Sequence, residues 1–265
     1  MSRDRNFPGP DTGYTSTFGT GDPVTLFAHG FSGSIRDTRP FSLGMAGTRA
    51  LVNLGGHGGR PSPGPDWTYR TIAAQLSAAL HTTGATRALG VSMSAGGLAR
   101  LVTEGDPAAC GLEKIAFVLP ASWDHFTREL AARTARYSEL LRTYLDTGDR
   151  EGLTTALLAR EPEQVRRLEP AHAWTRAKVD AIFDTDMRDG IDLARRIAVD
   201  HPEAAAGFPG EVLVLTHEED PSHPVEIAQQ YAQAFGARLE VLPPGSILWL
   251  GRSRVREILI DFFND

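Results

Sequence analysis

The stretch LGVSMSAGG (89–97) decides how the rest of the chain is read. The buried-strand pattern TRALGVS (86–92) runs almost directly into the helical pattern AGGLARLVTEG (95–105). A serine sits in the connection. Such a turn is strained, so small residues must flank the serine, whose side chain then stands above the sheet. Gly90-Val91-Ser92-Met93-Ser94 matches G-x-S-x-G except that Ser94 stands at the second glycine. A frame shifted by two, Ser92-Met93-Ser94-Ala95-Gly96, half-fits. The first frame is preferred. Gly90 gives clearance before the serine, and Ala95-Gly96 let the helix approach the strand. Tight turns of this kind also open nucleotide-binding folds, so the surrounding chain has to decide.

Outward from this turn, strands and helices alternate. VTLFA (24–28), TRALVNL (48–54) and KIAFVLP (114–120) are short apolar runs, read as buried strands. YTSTFG suggests an edge strand, and the dozen residues before it a loose polar arm. YRTIAAQLSAALHTTG (69–84) spaces Ile72, Leu76, Ala79 and Leu80 for a helix ending at Gly84. Buried strands separated by helices imply a parallel sheet covered on both faces. From residue 124 to 207 only helical patterns occur, the last of them IDLARRIAVD (191–200). The sheet resumes with EVLVLT (211–216), a helix over 225–235, RLEVL (238–242) and a final helix over 255–263. The expected organisation is a core of residues 1–123 and 208–265 with a helical cap over 124–207.

Bulk properties narrow the function. The chain has 265 residues and a formal net charge of −6, which argues against nucleic acid or an anionic membrane as the main partner. No apolar stretch long enough to span a membrane occurs, and the N-terminus has no apolar run, so no signal peptide is expected. With one cysteine, Cys110, no internal disulfide can form. Cys110 is expected to be a small packed residue, and the cytoplasm the compartment.

LFAHGFSGS (26–34) places a His-Gly turn after an earlier strand. The N–H of Phe31 there, with that of Met93, would form an oxyanion hole. HGFSG (29–33), NLGGHGGRPS (53–62), GVSMSAGG (90–97) and LVLTHEEDPSHP (213–224) occur in this order. Together they resemble the α/β-hydrolase superfamily over nearly the whole chain except the insertion. The resemblance implies an eight-stranded, mostly parallel sheet with a helical cap after strand 6. It makes Ser92 the nucleophile and Asp220 the orienting acid, with Glu218 and Glu219 as competitors. His29 and His57 are read as structural residues of their loops.

The departure is the base. Family members carry a histidine after the last strand. Here the text is LPPGSILWLG (242–251), with Ser246 in that place. Serine cannot take up a proton at neutral pH and return it, so the usual relay is broken. Another histidine has to replace it, His223 first, then His217, then His125 or His172 from the cap. Otherwise the fold performs chemistry without an acyl-enzyme (a lyase, isomerase or cyclase), or only binds a ligand. The substrate pocket is expected to be apolar, built from residues near the converging loops: His29, Trp123, His125, Trp174, Ser246 and Trp249, with Phe126 nearby. No phosphate loop, no dinucleotide fingerprint and no metal-ligand spacing appears, so neither cofactor nor metal is expected. The working expectation is a cofactor-independent serine esterase or related acyl hydrolase acting on a small apolar molecule.

Overall fold

The computed structural model describes residues 14–265; the arm expected over the first dozen residues lies outside them. Seven strands form one sheet: β1 (Thr15–Phe18), β2 (Val24–Ala28), β3 (Thr48–Val52), β4 (Arg87–Val91), β5 (Lys114–Val118), β6 (Glu211–His217) and β7 (Arg238–Leu242). Their order is β1-β3-β2-β4-β5-β6-β7, and only the β1–β3 edge pair is antiparallel. The expected eighth strand is therefore missing among the described residues. The insertion follows β5, which is strand 6 in an eight-strand count.

The helices are α1 (Ile35–Thr38), α2 (Tyr69–Thr83), α3 (Met93–Thr103), α4 (Arg128–Thr147), α5 (Arg150–Leu158), α6 (Glu163–Arg166), α7 (Glu169–Asp184), α8 (Val225–Phe235) and α9 (Arg252–Asn264). Strand side chains alternate between faces. Leu26 and Ala28 of β2 pack in one core with Leu76 of α2, Leu98 of α3 and Tyr231 of α8. Phe27, between them in sequence, packs on the other face with Leu259 and Phe263 of α9. Both faces are thus covered, as a parallel sheet requires. The helix α2 begins with a reciprocal Thr68–Thr71 capping box and ends at Gly84 with φ of 65°.

Between β5 and β6 the chain forms α4 to α7 and then two 3-10 segments, Asp186–Arg195 and Pro202–Gly207. The expected α-helix over 191–200 is replaced by the first of these. Met187, Gly190 and Leu193 are all buried, and their spacing of three suits the 3-10 period rather than the α period. A Cβ at Gly190 would lie 2.8 Å from the Trp67 ring and 2.9 Å from that of Phe31. The chain must come this close, which selects glycine and weakens an α-helix. Cys110 is exposed, not packed as expected. It lies in the turn before β5, at the opposite end of the sheet from the loop after β4. Among the described residues no helix is long and apolar enough to cross a membrane.

One buried cation ties the insertion to the sheet. Arg100 of α3 donates from Nη1 to the Ala198 carbonyl at 3.1 Å, from Nε to Glu104 at 2.9 Å, and from Nη2 to Asp200. Hydrogen bonds to charged groups each contribute about 1.5–3 kcal/mol, but both acids rehydrate when the arginine is removed. Arg100→Met is expected to lower unfolding stability by about 2 kcal/mol, measured by urea denaturation. A variant as stable as the parent would mean that Arg100 does not hold this junction.

Candidate active site

Ser92 stands between β4 and α3 with φ of 52° and ψ of −103°, a backbone region that non-glycine residues rarely adopt. The geometry explains the small residues around it. A Cβ at Gly90 would meet the Ser94 carbonyl oxygen at 2.7 Å, and one at Gly96 the Tyr69 ring at 2.3 Å. Ser94, in the second-glycine position, is fully buried. Its hydroxyl donates to the Ala28 carbonyl at 2.7 Å and accepts from the Val91 N–H at 2.8 Å. That hydroxyl pins the turn to β2, and the shifted frame with Ser94 exposed is not the one adopted. Met93 is the first residue of α3, so its N–H has no partner within the helix. Neither this N–H nor that of Phe31 is used by the chain's own hydrogen bonds among the described residues.

The loop after β6 brings an acid and a histidine to Ser92. Asp220 Oδ1 accepts from the N–H groups of Ser222 at 2.7 Å and His223 at 3.1 Å. This local turn is held between Pro221 and Pro224. It sets the His223 ring so that Nδ1 lies 2.8 Å from Asp220 Oδ2 and Nε2 lies 2.8 Å from Ser92 Oγ. Nδ1–H donates to the carboxylate, which leaves the Nε2 lone pair for the serine hydroxyl. A proton can therefore move from Oγ to Nε2 as the oxygen attacks. His217 lies beside the same carboxylate, with Nε2 3.5 Å from Oδ2. Burial would raise the pKa of Asp220, but His223, its hydrogen bond, the Ser222 N–H and His217 outweigh it and hold the carboxyl well below the usual range.

Several residues expected at the pocket lie elsewhere. Ser246 is buried at the start of a π-helical turn (Ser246–Leu250), against Gly251, where an added Cβ would sit 2.7 Å from the serine Cβ. The turn sends Leu248, not Ser246, to the cavity wall. Trp123 is buried in the core, 4.5 Å from the Tyr231 ring and 5.9 Å from Phe235. His125 is exposed, bonded to Asp124 at 2.6 Å, and Phe126 packs on the core. Trp249 lines adjoining clefts, edge-on to Trp174 at 5.5 Å. His29 and Trp174 do line the cavity with Ser92 and His223. It holds about 170 Å³ and takes its apolar walls from residues such as Phe41, Leu119, Ile191 and Leu248. The sequence reading missed Arg133, Tyr137, Arg160 and Lys178 on its roof. No motif marks them: Arg133 and Tyr137 lie on α4, Lys178 on α7 and Arg160 just beyond α5, where single polar residues read as ordinary helix surface.

His29 and His57 serve their loops. His29 Nε2 accepts from the Leu54 N–H at 3.0 Å, and Nδ1–H donates to the Gly30 carbonyl at 2.8 Å. His57 Nε2 accepts from the Ser32 N–H at 3.0 Å, and Nδ1–H donates to the Gly55 carbonyl at 2.8 Å. Both rings must be neutral to make these bonds. Burial lowers the His29 pKa to about 4 and, with His29 adjacent, that of His57 to about 3. The unfolded chain therefore binds protons below 6.5 that the folded chain refuses, and stability falls as pH falls from 6.5 toward those values. Each histidine should remove about 2–3 kcal/mol by about pH 4.5. Asp220, held low, acts only below the ordinary carboxylate value. Thermal unfolding followed across this window should show a steep loss, made markedly shallower by His57→Gln. An unchanged slope in that variant would assign the acid lability to other groups.

No family model and no curated protein sequence matches the chain. Solved structures do. An esterase from Exiguobacterium antarcticum is 17% identical, with a TM-score of 0.77 over 95% of this chain and 95% of that one. The enol-lactonase from Burkholderia xenovorans is 19% identical, with a TM-score of 0.72 over 95% of this chain and 97% of that one. An alpha/beta hydrolase enzyme from a Medee basin deep-sea metagenome library is 14% identical, with a TM-score of 0.74 over 95% and 94%. Identities this low speak to architecture, and the architecture is unambiguous: the chain has the α/β-hydrolase fold.

Proposed function

We propose that the protein is a cofactor-independent serine hydrolase acting on a small ester or related acyl compound, with residues 124–207 as a cap over the site. The observation that carries this reading is the unbroken chain of contacts from Ser92 Oγ to His223 Nε2 and from Nδ1 to Asp220, each 2.8 Å long. Ser92 Oγ attacks the acyl carbon while His223 takes its proton, and the N–H groups of Phe31 and Met93 hold the oxyanion. The intermediate collapses, the bond to the leaving oxygen breaks, and His223 returns the proton to that oxygen. Water, deprotonated by His223, then attacks the acyl-enzyme and releases the acid and free Ser92. The triad differs from the usual one in that the base lies three residues after the acid, on one loop, while the customary position holds Ser246. The alternatives of a non-hydrolytic enzyme or a mere binding protein arose from the missing base. A histidine in contact with Ser92 counts against both.

The test is covalent labelling. A fluorophosphonate should add a single adduct to the protein and none to Ser92→Ala, read by intact mass. His223→Ala should cut esterase kcat by at least roughly 1,000-fold, since losing one member of such a relay removes most of its effect. Rapid labelling that persists in His223→Ala would place the base elsewhere, and no labelling at all would remove the hydrolase reading.

A further inference from the structure

We infer that the substrate is an anion, an ester or lactone whose acyl part carries a carboxylate, and that Arg133, Arg160 and Lys178 receive that carboxylate. This inference rests on the hydrolase reading and specifies its substrate class. The three side chains come from different parts of the insertion: Arg133 from α4, Arg160 from just beyond α5, and Lys178 from α7. All three line the cavity that holds Ser92 and His223, and all are partly buried. None forms a salt bridge among the described residues. Arg160 donates to the Ser222 hydroxyl at 3.1 Å and stands 4.9 Å over the Tyr137 ring, while Lys178 stands 5.0 Å from the Trp174 ring.

Several other arginines of the insertion carry acid partners. Arg142 is paired with Asp192, Arg150 with Asp180 and Asp184, and Arg188 with Asp146. In a chain whose net charge is −6, these three cations line the cavity beside a single acid, Asp37. Partly buried charges without counter-charges are costly, so an arrangement of three calls for an anion from outside. Two acids lie near, but neither forms a salt bridge with the three among the described residues. Asp37 lines the cavity, but its carboxylate already accepts from the Trp174 indole at 2.7 Å and the Ser34 hydroxyl at 2.9 Å. Glu161 lies in the adjoining cleft with Arg160 and Lys178. Burial and the neighbouring Asp220 raise its pKa against the pull of Lys178 and the two histidines, and it forms no salt bridge with either cation among the described residues. The apolar walls then hold the methylenes between the reacting carbonyl and the bound carboxylate, and a cavity of about 170 Å³ suits a short linker.

Two esters of equal shape test this. Mono-4-nitrophenyl glutarate ends in a carboxylate, and 4-nitrophenyl 5-methylhexanoate replaces that carboxylate with an isopropyl group. The protein should prefer the glutarate in kcat/KM by about tenfold or more, as charge-assisted hydrogen bonds require. In Arg133→Gln, Arg160→Gln and Lys178→Gln, alone and combined, the ratio of the two rates should fall toward one. The ratio is measured within each variant, so partial unfolding does not alter it. Binding of both esters to Ser92→Ala, by titration calorimetry, separates this inference from the hydrolase reading. Tighter, salt-sensitive binding of the glutarate to that variant supports the anion site even if the native protein turns over neither ester. Equal turnover of the two overturns it while leaving the hydrolase standing. Equal or undetectable binding to Ser92→Ala overturns it as well.

Discussion

The strained turn at Ser92 is the constraint to which the other parts of the site are fitted. A positive φ for serine is unfavourable by the order of 1–3 kcal/mol and persists only where the surroundings over-determine it. Here they do. Gly90 leaves space for the incoming turn of α3, and Gly97 lets α3 close on Ile72 of α2, where an added Cβ would lie 2.5 Å away. Ser94 then fastens the turn to β2 through the Ala28 carbonyl. Because β2 also leads into the loop bearing Phe31, the same hydroxyl links the two N–H groups proposed for the oxyanion. A second glycine at that position would relieve crowding but could not make this bond.

Glycine requirements of this kind are legible in a sequence, and so the architecture was readable. The strand-turn-helix over 86–105, the edge strand at YTSTFG and the resumption of the sheet at residue 211 all rest on apolar period and turn chemistry. What could not be read is direction. Trp123 and Trp174 are equally aromatic and equally near converging loops, yet one is buried beneath α8 and the other faces the cavity. Only packing against partners far along the chain separates them. The 3-10 segment at Asp186–Arg195 is a similar case, since its period is set by the approach of Gly190 to Trp67, more than a hundred residues earlier in sequence. Ser246 was legible as an absence but not as a location. The π-helical turn that buries it carries no signature beyond Gly245.

In the proposed relay acid and base share one loop, which changes what holds them together. When the two come from different strands, the sheet sets their separation. Here the Asp220–His223 distance is set by a turn in which the same carboxylate accepts two backbone N–H groups and the imidazole N–H. The carboxylate thus organises its own loop and, in the proposed relay, also orients the imidazole. A neutral amide at Asp220 would retain the shape in part while losing the charge that keeps the imidazole tautomer in place.

The insertion is tied into this arrangement at both sides of the site. Arg160 bonds to the hydroxyl of Ser222, within the turn that aims His223, and Trp174 bonds to Asp37, in the short helix that follows the Phe31 loop. Any displacement of the insertion therefore pulls on the loop bearing the proposed base and on the loop bearing one of the two proposed oxyanion donors. A ligand that contacts Arg160 and Lys178 acts on the same two connections, since Lys178 rests on Trp174. On the proposed function, binding at the roof and alignment at the floor are then coupled through these contacts. If the proposed hydrolase holds the remote end of a substrate there, that free energy is available for ordering Ser92, His223 and the proposed oxyanion donors, which is how contacts distant from the reacting bond come to affect kcat as well as KM.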